Sequence, residues 1–252
     1  MLGEPSNELR LVALDIDGTI TVDKKVGEFR LELDAIKAIR KLEEIGVKVS
    51  FVTGNSVPVV AGLARYVGAS GPQVAENGCV VFYKDKVYRV CRYSTRTVAE
   101  LLLREFSNYL RPSWQNRYRI FDYALVLVQK NVDVDELIDT INLYLKQLGV
   151  RVKISYSGYA IHVRPIDADK GRGLKVALSL AGVEPNQVIA IGDSEIDTEM
   201  KKIGVRLVAV GNSDKTLKSV ADLVLKEASG QAVAYFLKDL AEAVRRSRRG
   251  TK

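Results

Sequence analysis

Two apolar runs constrain this chain most: residues 9–14 end at Leu14 and stop on Asp15, and residues 47–52 end at Val52 and stop on Thr53. Between them Leu33, Ile36, Ile39 and Leu42 to Ile45 recur at helical spacing, and Gly46 closes the pattern. Two buried strands joined by an amphipathic helix make a βαβ unit, whose connection demands a parallel sheet. The same grammar returns late, with a helix over 171–180, a strand over 187–191, a helix over 195–202, a strand over 205–210 and a final helix after Gly230. The expected fold is α/β, a doubly wound parallel, Rossmann-like sheet.

The middle of the chain breaks that grammar. Residues 80–83 and 86–90 read as a hairpin across Lys84-Asp85, followed by a helix over 97–109. Segments 117–129, 151–156 and 159–163 read as antiparallel strands, with a helix over 134–148 among them and Ser157-Gly158 as a two-residue turn. The expected organisation is therefore a discontinuous core, 1–79 and 165–252, carrying an inserted α+β cap domain over 80–164.

Composition narrows the class. At 252 residues, 47% hydrophobic and 27% charged, the chain can bury a full core, which excludes a disordered or disulfide-framework protein. Cys79 and Cys91 permit at most one bridge and show no zinc spacing, so they read as small buried hydrophobes of a reduced, cytoplasmic protein. The polar N-terminus is unlike a signal peptide, and no apolar run reaches the ~18 residues of a membrane span, so no membrane partner is expected. Arg245, Arg246, Arg248, Arg249 and Lys252 supply five of the seven surplus positive charges. That leaves no basic footprint for nucleic acid on the body, and the tail reads as a solvated, frayed helix end.

The candidate chemistry lies where strands end, because in an open α/β sheet the carboxyl edge forms the ligand crevice. Asp15-Ile16-Asp17-Gly18-Thr19 follows the first strand, with two carboxylates on one side of extended chain, an arrangement that suits a shared cation or proton. An Asp-rich turn would look the same. Gly192-Asp193-Ser194-Glu195-Ile196-Asp197 follows a late strand and offers hard oxygen ligands for Mg²⁺, or a helix cap. Thr53-Gly54-Asn55 offers a hydroxyl and backbone N–H groups at a helix start, and Lys170 a point charge for phosphate.

These motifs in this order resemble the haloacid dehalogenase superfamily, in particular its phosphatases with a cap between the second and third motifs. Asp15 to Thr19 is similar to the first motif, Thr53 to the second, Lys170 to the third, and Asp193 with Asp197 to the fourth. Thr53-Gly54-Asn55 and the short α+β cap look most like archaeal phosphoglycolate phosphatases, and Glu76-Asn77-Gly78 looks like a hinge into the cap. Relatives commonly carry Asn where this chain has Ile196.

The resemblance implies a phosphoric monoester hydrolase that forms an aspartyl-phosphate. Asp15 would be the nucleophile and Asp17 the proton donor and acceptor, with Thr53, Gly54, Asn55 and Lys170 on the phosphate. Mg²⁺ would be held by Asp15, Asp193 and the Asp17 carbonyl, with Asp197 behind them. The implied partner is a small phosphorylated metabolite, first 2-phosphoglycolate, its second anion met by cap residues such as His162, Arg164, Tyr156 or Tyr159. A sugar-phosphate phosphatase and a non-catalytic module with a vestigial site are the alternatives, and monomer or homodimer stays open.

Overall fold

The computed structural model describes residues 9–22, 29–129 and 131–249; the polar N-terminal octet and residues 250–252 lie outside them. The first apolar run forms β1 (Leu11–Leu14), the amphipathic segment α1 (Leu33–Glu44) and the second run β2 (Lys48–Phe51). Later come α5 (Lys170–Ala181), β10 (Val188–Gly192), α6 (Thr198–Lys201), β11 (Arg206–Ala209), α7 (Lys215–Val220), β12 (Leu223–Val224) and α8 (Ser229–Arg249). Their strands make a five-stranded, wholly parallel sheet in the order β12-β11-β10-β1-β2.

Both faces of this sheet are covered, and the period-2 alternation of strands shows how. Val12 and Leu14 of β1 pack with Ile39 and Leu42 of α1 and with Val233 and Leu237 of α8. Leu11 and Ala13 pack on the opposite face with Leu174 and Leu178 of α5 and Met200 of α6. Each fully buried Leu or Ile contributes on the order of 1.5–3 kcal/mol, so two such layers pin the strand register and with it the strand ends.

After α2 (Val57–Val67), β3 (Gln73–Ala75) touches the sheet through a parallel bridge between Val52 and Val74. It pairs antiparallel with β4 (Val80–Tyr83), which pairs with β5 (Lys86–Arg89). The hairpin grouped with the insert on sequence grounds thus pairs with β3, and its Val80 and Val81 pack in the two core clusters. The register also sets Cys79 beside Cys91: the backbone N–H groups of Val90 and Cys91 donate to the Cys79 carbonyl, and the two cysteines form a disulfide. The reading of two unpaired buried thiols is corrected accordingly; both side chains are buried, but as a clip on the hairpin.

The insert proper holds α3 (Arg96–Glu105), β6 (Leu110–Pro112), β7 (Tyr123–Leu127), α4 (Val134–Gln147), β8 (Lys153–Tyr156) and β9 (Ala160–Arg164). Its four strands form an antiparallel sheet in the order β6-β7-β9-β8. Leu125, Ile161 and Val163 face Leu102, Ile141 and Leu145 of the two helices. Alternation then turns Ala124, Ala160, His162 and Arg164 to the opposite face, toward the core.

The expected strand over 117–129 is shorter than predicted. Residues 114–118 form a 3₁₀ turn begun by Ser113, and the backbone N–H groups of Ile120, Phe121 and Asp122 bond the carboxylate of Glu76 rather than a neighbouring strand. Glu76 and Asn77 adopt left-handed φ of 51° and 52° and Gly78 follows at 94°. A Cβ on Gly78 would strike the Asp169 carbonyl, so only glycine lets this turn lie against the start of α5.

The basic tail is also corrected. Arg248 lies on α8 and donates through Nη1 to the Ile45 carbonyl at the end of α1 and through Nη2 to the Leu9 carbonyl at 3.4 Å. A cation there satisfies a carbonyl that the end of α1 leaves open and another ahead of β1, so this residue docks rather than frays.

Candidate active site

Neighbouring strands β10, β1 and β2 end side by side, which brings Asp193, Asp15 and Thr53 together at the carboxyl edge of the sheet. Gly18, at φ 91°, turns the chain away after Asp17, and its N–H is taken by the Thr21 hydroxyl. Lys170 enters from the first position of α5, a helix capped by Asp169. Its Nζ donates to Asp15 Oδ1 at 2.8 Å and to Asp197 Oδ1 at 2.7 Å. Asp15, Thr53, Lys170, Asp193 and Asp197 are all buried.

The charges do not balance. Oxygens of Asp15, Asp193 and Asp197 come within 4.8 Å of one another, and one ammonium lies among them. Burial pushes the Asp15 carboxyl up to about 8; Lys170 pulls it down, and Asp197, Asp193 and Asp17 push it up again. Burial alone would lower the Lys170 ammonium, but Asp15 and Asp197 override it and hold the group above its ordinary value. A buried cluster of hard oxygens short of positive charge fits a small divalent cation such as Mg²⁺. Asp15 and Asp193 suit that role best. Asp197 is committed, with Oδ1 on Lys170 and Oδ2 accepting from the N–H groups of Asp193 and Ser194 and from the Ser194 hydroxyl.

Asp17 stands at the rim, half-buried, and its Oδ2 accepts from Asn55 Nδ2 at 2.8 Å. The same amide nitrogen donates to Thr53 Oγ1 at 3.0 Å, and Asn55 Oδ1 accepts from Gln115 Nε2 at 2.7 Å. Asp15, Asp17, Thr53, Gly54, Asn55, Lys170 and Asp193 all line one cavity of about 390 Å³ between the core and the insert. Asp197 supports its floor from behind. Ile196, the departure from the fourth motif, also lines it, so an apolar side chain borders the cavity at that point.

From the insert, Ser113, Gln115, Arg119, Tyr159 and His162 form the roof. His162 is anchored through Nδ1, 3.0 Å from Asp122 Oδ2, and Asn77 donates to the same oxygen at 2.7 Å. Burial alone would raise the Asp122 carboxyl; the charges of His162, Arg119 and Arg164 hold it below its ordinary value. Arg119 is buried, donates from Nη1 to the Asp122 carbonyl at 3.1 Å, and keeps an Nε without a partner among the described residues. Arg164, expected in the cavity, is elsewhere: its Nη2 binds both oxygens of Glu199, at 2.9 and 2.8 Å, and Glu199 also accepts the Lys170 N–H. Tyr159 borders the cavity edge-on to Phe29, with ring centroids 4.8 Å apart, whereas Tyr156 lies outside it. Gln115, Arg119, Asp122 and Glu199 carry no motif, and nothing in their local sequence singles them out.

Residues 12–121 and 104–237 match the family described as haloacid dehalogenase-like hydrolase, which spans nearly all of the chain. The chain belongs to that family. Proteins of known structure share this architecture: one of Thermoplasma acidophilum superposes with a TM-score of 0.78 at 27% identity, covering 93% of this chain and 99% of its own. The sucrose-phosphatase of Synechocystis has the same fold at 18% identity, with a TM-score of 0.69 and coverage of 94% and 98%. Among curated family relatives, a phosphoglycolate phosphatase of Staphylothermus marinus is 37% identical over 92% of this chain and 98% of its own. Phosphoglycolate phosphatase 1 of Saccharolobus solfataricus is 40% identical over 92% and 96%. Membership makes the chain an enzyme of the hydrolase class, and no helix among the described residues is long and apolar enough to cross a membrane.

Proposed function

We propose that this enzyme is a Mg²⁺-dependent phosphoric monoester hydrolase whose substrate is 2-phosphoglycolate, released as glycolate and phosphate. The observation that carries the reading is the convergence of Asp15, Asp17, Thr53 and Lys170 on one small cavity beside Asp193. The names of the relatives, 37–40% identical over nine-tenths of the chain, support the substrate.

Asp15 attacks phosphorus, a P–O bond forms to its carboxylate, and the bond to the leaving oxygen breaks, dividing one hard displacement into two. When bound by Asp15, Asp193 and the Asp17 carbonyl, with Asp197 behind them, Mg²⁺ would supply the positive charge that keeps Asp15 ionised and screens it from the phosphate. Lys170 and Thr53 hold the transferring oxygens, and backbone N–H groups at Gly54 and Asn55 face the same phosphate. Asp17 gives a proton to the departing alkoxide and takes one from the water that hydrolyses the aspartyl-phosphate, work worth about 10²–10⁴ in rate.

The insert acts as a cap, with the β4-β5 hairpin kept on the core side. Its Arg119 and His162 are the roof groups that suit a substrate carboxylate, in place of Arg164. The test compares kcat/KM for 2-phosphoglycolate with that for hexose phosphates, with Mg²⁺ and with chelator. A preference for 2-phosphoglycolate is expected. A neutral sugar phosphate favoured tenfold or more, about 1.4 kcal/mol, overturns the substrate and leaves the phosphatase standing.

A further inference from the structure

We propose that Gln115, on the insert, is a positioning residue for proton transfer: it sets the side-chain amide of Asn55 and, through it, the carboxylate of Asp17. The proposal rests on the phosphatase reading above. It begins from three consecutive hydrogen bonds that cross from insert to core. Ser56 N donates to Gln115 Oε1 at 2.8 Å, Gln115 Nε2 donates to Asn55 Oδ1 at 2.7 Å, and Asn55 Nδ2 donates to Asp17 Oδ2 at 2.8 Å.

An amide oxygen only accepts and an amide nitrogen only donates, so the donor from Gln115 decides which way Asn55 points. Asn55 Nδ2 then spends its two hydrogens on Asp17 Oδ2 and Thr53 Oγ1. Gln115 is the one partner of Asn55 Oδ1 among the described residues. Without it the Asn55 amide is free to turn over and present oxygen to the Asp17 carboxylate, a repulsive pair that swings Asp17 out of line.

Gln115 is itself held in place. It lies in the 3₁₀ turn of residues 114–118, where its N–H donates to Ser113 Oγ at 3.3 Å, and its acceptor is anchored by the N-cap residue of α2. The bond to Asn55 spans 60 residues and joins the insert to the core, so it exists only while the insert is seated. Seating the insert and aiming the acid are thereby one event: Asp17 is aligned when the cavity is covered and released when it opens.

The experiment uses leaving groups that differ in their need for an acid. Glycolate leaves as a basic alkoxide and needs a proton, whereas the phenolate of para-nitrophenyl phosphate leaves without one. In Gln115→Leu, kcat for 2-phosphoglycolate falls about tenfold or more with KM little changed, while the first-turnover burst of para-nitrophenolate, which precedes the step where Asp17 acts as base, changes in rate less than about threefold. In an Asp17→Asn background the same substitution produces no further loss, because the group it positions is gone.

Gln115→Glu keeps the acceptor for Ser56 and removes the donor to Asn55. It gives the same selective loss and stands in if the leucine variant does not fold. A para-nitrophenolate burst slowed as much as 2-phosphoglycolate turnover, or an effect that multiplies with Asp17→Asn, overturns the proposal and leaves the phosphatase reading intact. A wild-type enzyme inactive on both substrates overturns both.

Discussion

At the scale of the residue, Asp15 is caught between burial, which disfavours its charge, and Lys170, which favours it. The outcome without a cation is a carboxyl raised from 3.8 to about 8. Such a group contributes stability in full below its unfolded value and loses it as pH climbs through its folded one. Thermal midpoints measured in chelator at about pH 5 and pH 9 should therefore drop more for wild type than for Asp15→Asn, and an equal drop would contradict the assignment. Arg119 makes a second test at this scale. Its Nε has no partner among the described residues and its side chain borders the cavity, so Arg119→Gln should raise KM for 2-phosphoglycolate by about tenfold and leave KM for a neutral aryl phosphate nearly unchanged.

At the scale of the element, two small devices tie the pieces together. Glu76 turns its carboxylate onto the N–H groups of Ile120, Phe121 and Asp122, and burial holds it above its ordinary value although Phe121 and Ile120 pull it down. Glu76→Gln places an NH₂ against those donors, and chemical denaturation should register a loss of about 1–3 kcal/mol. The Cys79–Cys91 bridge closes a separation of 12 residues, so replacing both by serine should cost about 3 kcal/mol with turnover retained. Cutting the chain after Val244 removes Arg248 from the carbonyls of Ile45 and Leu9, and a loss of about 1–2 kcal/mol is expected where a frayed tail would show none.

Most of this architecture was legible because it repeats a local pattern. Residues 9–14 and 47–52 announce their strands by apolar runs, and Asp15, Thr53 and Asp193 announce themselves by ending such runs. What stayed hidden depends on chain that is distant in sequence. Ile120 to Asp122 leave the strand ladder for Glu76, more than 40 residues earlier, and Cys79 meets Cys91 through a hairpin register. Arg164 is one of four cap residues the sequence offers for a second anion, yet Glu199 on α6 claims it, and Arg119 borders the cavity instead. Gln115 had no signal at all, since an amide in a polar turn is an ordinary residue until its partner across the boundary is known.

At the scale of the molecule, the two bodies divide the work. The parallel sheet holds Asp15, Thr53 and Asp193 at adjacent strand ends, fixed by cores on both faces. The insert turns one face of its sheet toward them, supplying His162 from β9 and the roof of a 390 Å³ cavity. Asn77 meets the insert at Asp122 and His162. On the proposed function the chemistry lies with the core and selectivity with the insert, and the central claim is that Asp15 is the group that attacks phosphorus. The direct measurement is turnover of 2-phosphoglycolate with and without Mg²⁺ by wild type and Asp15→Asn side by side, with thermal midpoints recorded for both. The account predicts Mg²⁺-dependent turnover in wild type and a loss of about 10³-fold or more in a folded Asp15→Asn. Wild-type-like turnover in that variant would contradict it.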